Sequence, residues 1–218
     1  MNTEFAIAEV MPDKLNALVE NIMHQTGEAD PNEAVRLVNS GEWVVSKQTH
    51  SWREEDGVIY FSVTSDGTTG EDWITRLESK GFRVGDYAKQ VLRSPDFKPT
   101  NGVTTEVAVL KGRLFEDNDR ITKKIRAEAY KRKLSKPNAE LACLIREKFT
   151  DKEIEAMGLW YIVAMHEPIN DSGGVPFLLV ASRHDGGRWL DACNDGPGSG
   201  WSRGGGFAFA VSQVSSQS

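Results

Sequence analysis

The feature that most constrains this chain is the run of near-continuous apolar text close to its carboxyl end: LWYIVAM at 159–165, PFLLVAS at 176–182 and FAFAV at 207–211. Each run is too short for a helix of ordinary length and is bounded by glycine, proline or charged residues, so each reads as a strand inside a sheet, with 159–165 the central one. Between the last two runs lies HDGGRWLDACNDGPGSGWSRGGG, which reads as a long glycine-rich loop docked onto the final strand. Upstream, NAELACLIREKFTDKEIEAMG after Pro137 carries apolar residues at helical spacing, with Thr150 as an internal cap and Gly158 as the stop. Helices followed by strands in this order predict an α+β domain: two helices, then a twisted antiparallel sheet completed late in the chain.

The first hundred residues read as a helical and β-hairpin extension. Pro12 and Asp13 open a helical pattern through Met23, and Asp30-Pro31 opens a second that Gly41 ends. Asp56-Gly57 between strand-like segments predicts a hairpin. Thr69 or Ser65 caps a helix containing Trp73, Ile74 and Leu77, closed at Lys80-Gly81. Pro95 and Pro99 stop the following helix and suggest a boundary near residue 100, giving an extension at 1–100 and a candidate ligand-display domain at 101–218.

At 218 residues the chain can bury a core without a metal or disulfide staple. A net charge of −6 argues against nucleic acid or an anionic membrane as a broad partner. The segment 118–134 is rich in Lys and Arg, but Glu116, Asp117, Asp119 and Glu128 beside it dilute that field. No membrane span is expected from the hydropathy, and the opening residues lack the pattern of a secretory signal. Cytoplasmic synthesis is therefore expected, with a virion or the cell surface open as final locations.

Enzyme motifs are sparse. His166 and Glu167 close one apolar run, and His184 and Asp185 follow the next; paired strands would bring both imidazoles together as a general acid–base site of a hydrolase or transferase. The bland alternative is a histidine bonded to backbone near a turn. No HExxH, CxxC, EF-hand, phosphate-loop or dinucleotide motif is present, so no metal or cofactor is assigned. Cys143 reads as buried, whereas Cys193 stands in polar text.

The glycine-rich segment offers a further reading. Asp, Gly, Ser, Cys and Arg can all arise from the asparagine codon AAC by changes at its adenines alone, and these residues crowd 191–206 between Trp189 and Phe207. In this the tail resembles the variable proteins of diversity-generating retroelements, which carry a C-type-lectin-like fold. The resemblance spans at most 100–218, and it departs from the more familiar lectin-like ending in closing on GGFAFAV. It implies a variable ligand-binding surface made of Arg188, Asp191, Cys193, Asn194, Asp195, Ser199, Trp201, Ser202 and Arg203, held on a scaffold that includes Trp189 and Phe207. A protein or carbohydrate ligand and a homo-oligomer that adds avidity are the implied partners. The rival classes are the histidine–carboxylate enzyme and a regulatory protein that touches nucleic acid.

Overall fold

The computed structural model describes residues 16, 19–20, 22–23, 27–42, 51–184 and 187–212. The chain divides into two compact units, 1–49 and 50–218. In the first, α1 (Pro31–Asn39) starts where the sequence places it, with Pro31 in the first turn and the Asp30 side chain accepting from Asn32 N–H. The helix expected before Met23 lies mostly outside the described residues.

The second unit is an α+β fold around a 10-stranded mixed sheet. In chain order its elements are β1 (Arg53–Glu55), β2 (Val58–Asp66), α2 (Gly70–Ser79), β3 (Arg83–Val84), α3 (Asp86–Arg93), β4 (Asn101–Lys111), α4 (Thr122–Lys131), β5 (Leu134–Ser135), α5 (Leu141–Lys148), α6 (Asp151–Ala156), β6 (Tyr161–Ala164), β7 (Ile169–Asn170), β8 (Pro176–His184), β9 (Gly187–Asn194) and β10 (Gly205–Val211). The strands lie in the order β1-β2-β4-β10-β6-β8-β9-β3, with β5 on β10 and β7 on β8.

Local signals place many of these ends. Asp56 and Gly57 both take positive φ, 49° and 77°, the two-residue turn that joins β1 to β2. Thr69, not Ser65, caps α2 by accepting from Asp72 N–H, while Ser65 bonds to Val103 across the β2–β4 pair. A reciprocal capping box between Thr150 and Glu153 opens α6. Gly81 and Gly158, just past α2 and α6, take the left-handed conformation that terminates a helix without a Cβ clash.

Three expectations change. The proline-bearing segment at 94–100 is a link inside the second unit and not a domain boundary, because β2 pairs with β4 from Val58↔Leu110 to Asp66↔Asn101. The sheet is mixed and not antiparallel: β10 runs parallel to β6, and β3 runs parallel to β9. The expected loop at 183–206 contains a strand of its own, since Gly187–Asn194 pairs with β8 along its whole length. Its polar and glycine residues give GRWLDACN the composition of a loop, although it alternates between the two faces of the sheet.

The central strands are buried on both faces, which accounts for their continuous apolar text. On one face Phe61, Val107, Ile162, Leu179 and Leu190 pack under α2, α3, α5 and α6 through Trp73, Leu77, Val91, Ala142, Ile145 and Ile154. On the other, Leu110, Phe207, Val163 and Val180 share a cluster with Ile125 and Ala129 of α4. The register continues that row across the sheet, Leu110↔Phe207↔Val163↔Val180↔Asp191, so an apolar ladder ends on a carboxylate.

Candidate functional site: a concavity on β8 and β9

Beyond α4, the second face of the sheet is left open by the described residues over β6, β8 and β9, where it forms a concavity of about 500 Å³. Val180 and Ser182 of β8, with Asp191 and Cys193 of β9, make its floor. The side chains of Tyr161 and Trp201 wall it, and Asn194, Ser199 and Gly200 form part of the rim. The volume lies within the range of small-molecule sites.

The wall is rigid because the segment 195–204 is tied down at several points. Ile121, the residue before α4, provides no side-chain cap, so the first helical amides need acceptors from elsewhere. Thr122 N–H donates to Ser199 O at 3.1 Å, Lys123 N–H donates to Pro197 O at 3.1 Å, and Trp201 N–H donates to Arg120 O at 2.9 Å. The Trp201 indole N–H donates to Thr122 Oγ1 at 3.0 Å, and its ring meets those of Phe207 and Tyr161 at 5.8 and 6.3 Å. Arg126 of α4 reaches Asp195 Oδ2 at 2.8 Å, and the Asp195 side chain is only 1% exposed.

The glycines of RGGG serve this packing. A Cβ on Gly204 would stand 2.6 Å from the Trp160 ring, and one on Gly205 would stand 2.6 Å from the Tyr161 ring. These glycines let the tail lie flat against the start of β6.

The residues read from the sequence as a binding surface separate into groups. Asp191, Cys193, Asn194, Ser199 and Trp201 line the concavity together. Arg188 does not join them. It lies on the helical side of the sheet, its guanidinium 4.3 Å from the Phe82 ring and donating to Lys80 O. Asp195 is buried against Arg126, and burial raises its carboxyl above the usual range. Ser202 is exposed and donates to the Tyr161 hydroxyl from both N–H and Oγ, and Arg203 is exposed beside it. Tyr161, Val180, Ser182 and Gly200 are lining residues that the sequence reading missed. For Tyr161, Val180 and Ser182 the one signal is alternation along the strands, and it points at no site until the register is known; Gly200, in an isolated bridge with Ile121, carries none.

Cys193 sits on a strand and not in a loop. Burial, with Asp191 beside it, pushes its thiol up, so the thiol stays protonated at neutral pH and is a poor nucleophile. Cys143 is fully buried, as read from its apolar context, and burial pushes its thiol up as well.

The two histidines are not brought together. His166 is 1% exposed; its Nε2 accepts from Leu179 N–H at 3.0 Å, and its Nδ1 contacts Glu167 O at 2.6 Å. Both ring nitrogens are occupied by backbone, the arrangement of a neutral imidazole that donates from Nδ1, and burial holds its pKa down at about 4. Glu167 is exposed and pairs with Lys136. His184 lies five positions beyond Leu179 on β8, a backbone separation of roughly 16 Å at the usual strand rise. Antiparallel pairing of β6 and β8 puts the end of one strand beside the start of the other, so His166 and His184 fall at opposite ends. Asp185 lies outside the described residues.

The basic stretch is largely neutralised in place. Lys124 pairs with Asp119, Lys131 and Arg132 pair with Glu128, and buried Arg120 is held by Gly112 O, Phe115 O and Asp117. No group of three or more potential metal-ligating side chains gathers among the described residues, and no described helix is long and apolar enough to cross a membrane. Compared with known proteins, the chain matches no family model, no curated protein and no solved structure.

Proposed function

We propose that this chain is a ligand-binding protein whose site is the concavity on β8 and β9, and that the side chains at its rim are replaceable. The observation that carries this reading is the way the rim is held. Ser199 and Pro197 bind α4 through their carbonyls, and such bonds are indifferent to the side chain at that position. Asn194 is exposed and Ser199 half-buried, so exchanging them costs little packing. Trp201, Tyr161 and the Arg126–Asp195 pair supply the fixed frame, which removes two residues, Asp195 and Trp201, from the replaceable set.

This division into backbone-held rim and packed frame is what a diversity-generating retroelement would require of its variable protein. The order of elements also supports the finer likeness to a lectin-like domain, with α4, α5 and α6 preceding the strands that carry the site. The parallel pairing of β6 and β10 is a departure to be weighed against it.

The test has two measurements. Arrays of glycans and of cell-surface proteins are probed with the purified chain and with Asn194→Trp, which crowds the mouth of the concavity at an exposed position. Ligands lost on that substitution, with the melting temperature kept within about 2 °C, support the reading; ligands retained in full would place binding elsewhere. Deep sequencing of the 3′ end of the gene through a clonal lineage is the second: substitutions at the rim codons 194 and 199 with codons 195 and 201 constant are expected, and an invariant segment would remove the retroelement component.

A further inference from the structure

We infer that the concavity takes a small organic cation, an ammonium group carried on an apolar or aromatic frame, with Asp191 as its counter-ion; this rests on the binding-site reading above. Among the described residues that line the concavity, Asp191 is the only charged side chain, and no lysine, arginine or histidine stands opposite it. Its Oδ1 accepts the N–H of Ala192 at 2.9 Å, which orients the carboxylate without neutralising it. Arg83, on the neighbouring strand, pairs in register with Trp189 and holds its guanidinium over that indole at 5.3 Å. It forms no ion pair with Asp191.

The surroundings of the carboxylate complete the match. Val180 lies directly across the ladder from Asp191, and the aromatic rings of Tyr161 and Trp201 stand 6.3 Å apart on the wall. Aromatic faces attract cations through their negative quadrupole, and more so away from bulk water. An anionic ligand would meet a carboxylate with no compensating donor of opposite charge. Room for the carboxylate is built into the backbone: a Cβ on Gly85 would stand 2.6 Å from Asp191 Oδ1.

The experiment compares three probes of one shape on the full chain: 2-phenylethylammonium, 2-phenylethanol and 3-phenylpropionate. Binding is followed by amide and indole chemical shifts at Asp191 to Asn194 and Ser199 to Trp201. The expected result is that the ammonium binds roughly tenfold or more tightly than the alcohol, the worth of a charge-assisted contact, with the propionate weakest. Asp191→Asn is expected to bring ammonium and alcohol within about twofold of each other while leaving the alcohol unchanged. An alcohol or propionate that binds as tightly as the ammonium overturns the cation assignment and leaves the binding site standing, and this comparison needs no variant to fold. A ratio that persists in Asp191→Asn likewise overturns the assignment. If none of the probes moves those resonances, the cation assignment falls, and the array comparison with Asn194→Trp decides the binding-site reading separately.

Discussion

Replacing Asp195 separates the two things its side chain does, which are filling space at the root of the loop and carrying charge. The carboxylate is buried, one oxygen is 2.8 Å from Arg126, and the other, Oδ1, has no hydrogen-bond partner. Arg126 Nε is also buried without a partner, although its side chain keeps 26% exposure and reaches water elsewhere. Burial raises the pKa of Asp195 in spite of the guanidinium, so the ion pair does not fully offset the desolvation of the carboxylate. A folded-state pKa above the unfolded value contributes stability that is present at low pH and is lost as pH rises through the folded pKa. At neutral pH that contribution is gone, and asparagine, the neutral isostere, sacrifices little: its amide oxygen still accepts from Arg126. Asp195→Ala removes the acceptor, leaves a void, and strands a partly buried guanidinium, at about 2–3 kcal/mol. For a unit of this size each kcal/mol moves the melting temperature by roughly 2–4 °C. Thermal unfolding at pH 7 is therefore expected to show Asp195→Ala lower by about 4–12 °C and Asp195→Asn within about 2 °C of the parent. The difference in stability between Asp195→Asn and the parent should shrink as pH falls below the carboxylate range. An Asn variant as unstable as the Ala variant would refute the reasoning, because it would mean that the charge itself holds the loop.

The remaining predictions concern the frame. Gly205→Ala pushes a methyl group into the Tyr161 ring and is expected to cost about 1–3 kcal/mol, read by denaturant midpoint, whereas Gly198→Ala, where a Cβ meets nothing within 4 Å, should change stability by less than about 1 kcal/mol. His166, held neutral by burial, has a folded pKa below its unfolded value, so its contribution is complete above pH 6.5 and is lost as pH falls toward about 4. His166→Gln is expected to flatten the stability profile across that window, and an unchanged slope would show that the imidazole does not titrate on unfolding.

Much of the fold was legible because short-range chemistry wrote it. The Asp56-Gly57 turn, the Thr69 and Thr150 caps and the apolar strands 159–165, 176–182 and 207–211 depend on residues next to one another in sequence, and the structure places each of them. The candidate site was half legible. Composition marked Asp191, Cys193, Asn194 and Ser199, while Tyr161, Val180 and Ser182 carried no mark because they look like any other strand residues. Arg188 shows the converse error: one position of strand alternation moves it from the concavity to the helical face, a consequence of the period-two geometry of β structure.

The sequence by itself determined the α+β character of this protein, the identity of its central strands and the two signs of chemistry in its tail, small polar residues and framing aromatics. Tertiary structure decided the rest. Only the register Leu110↔Phe207↔Val163↔Val180↔Asp191 brings a carboxylate to the end of an apolar ladder, and only the uncapped start of α4 fixes the segment that walls it. Local propensity acts over a few residues, whereas strand order and register follow from which faces can be buried together, and that is a property of the whole sheet.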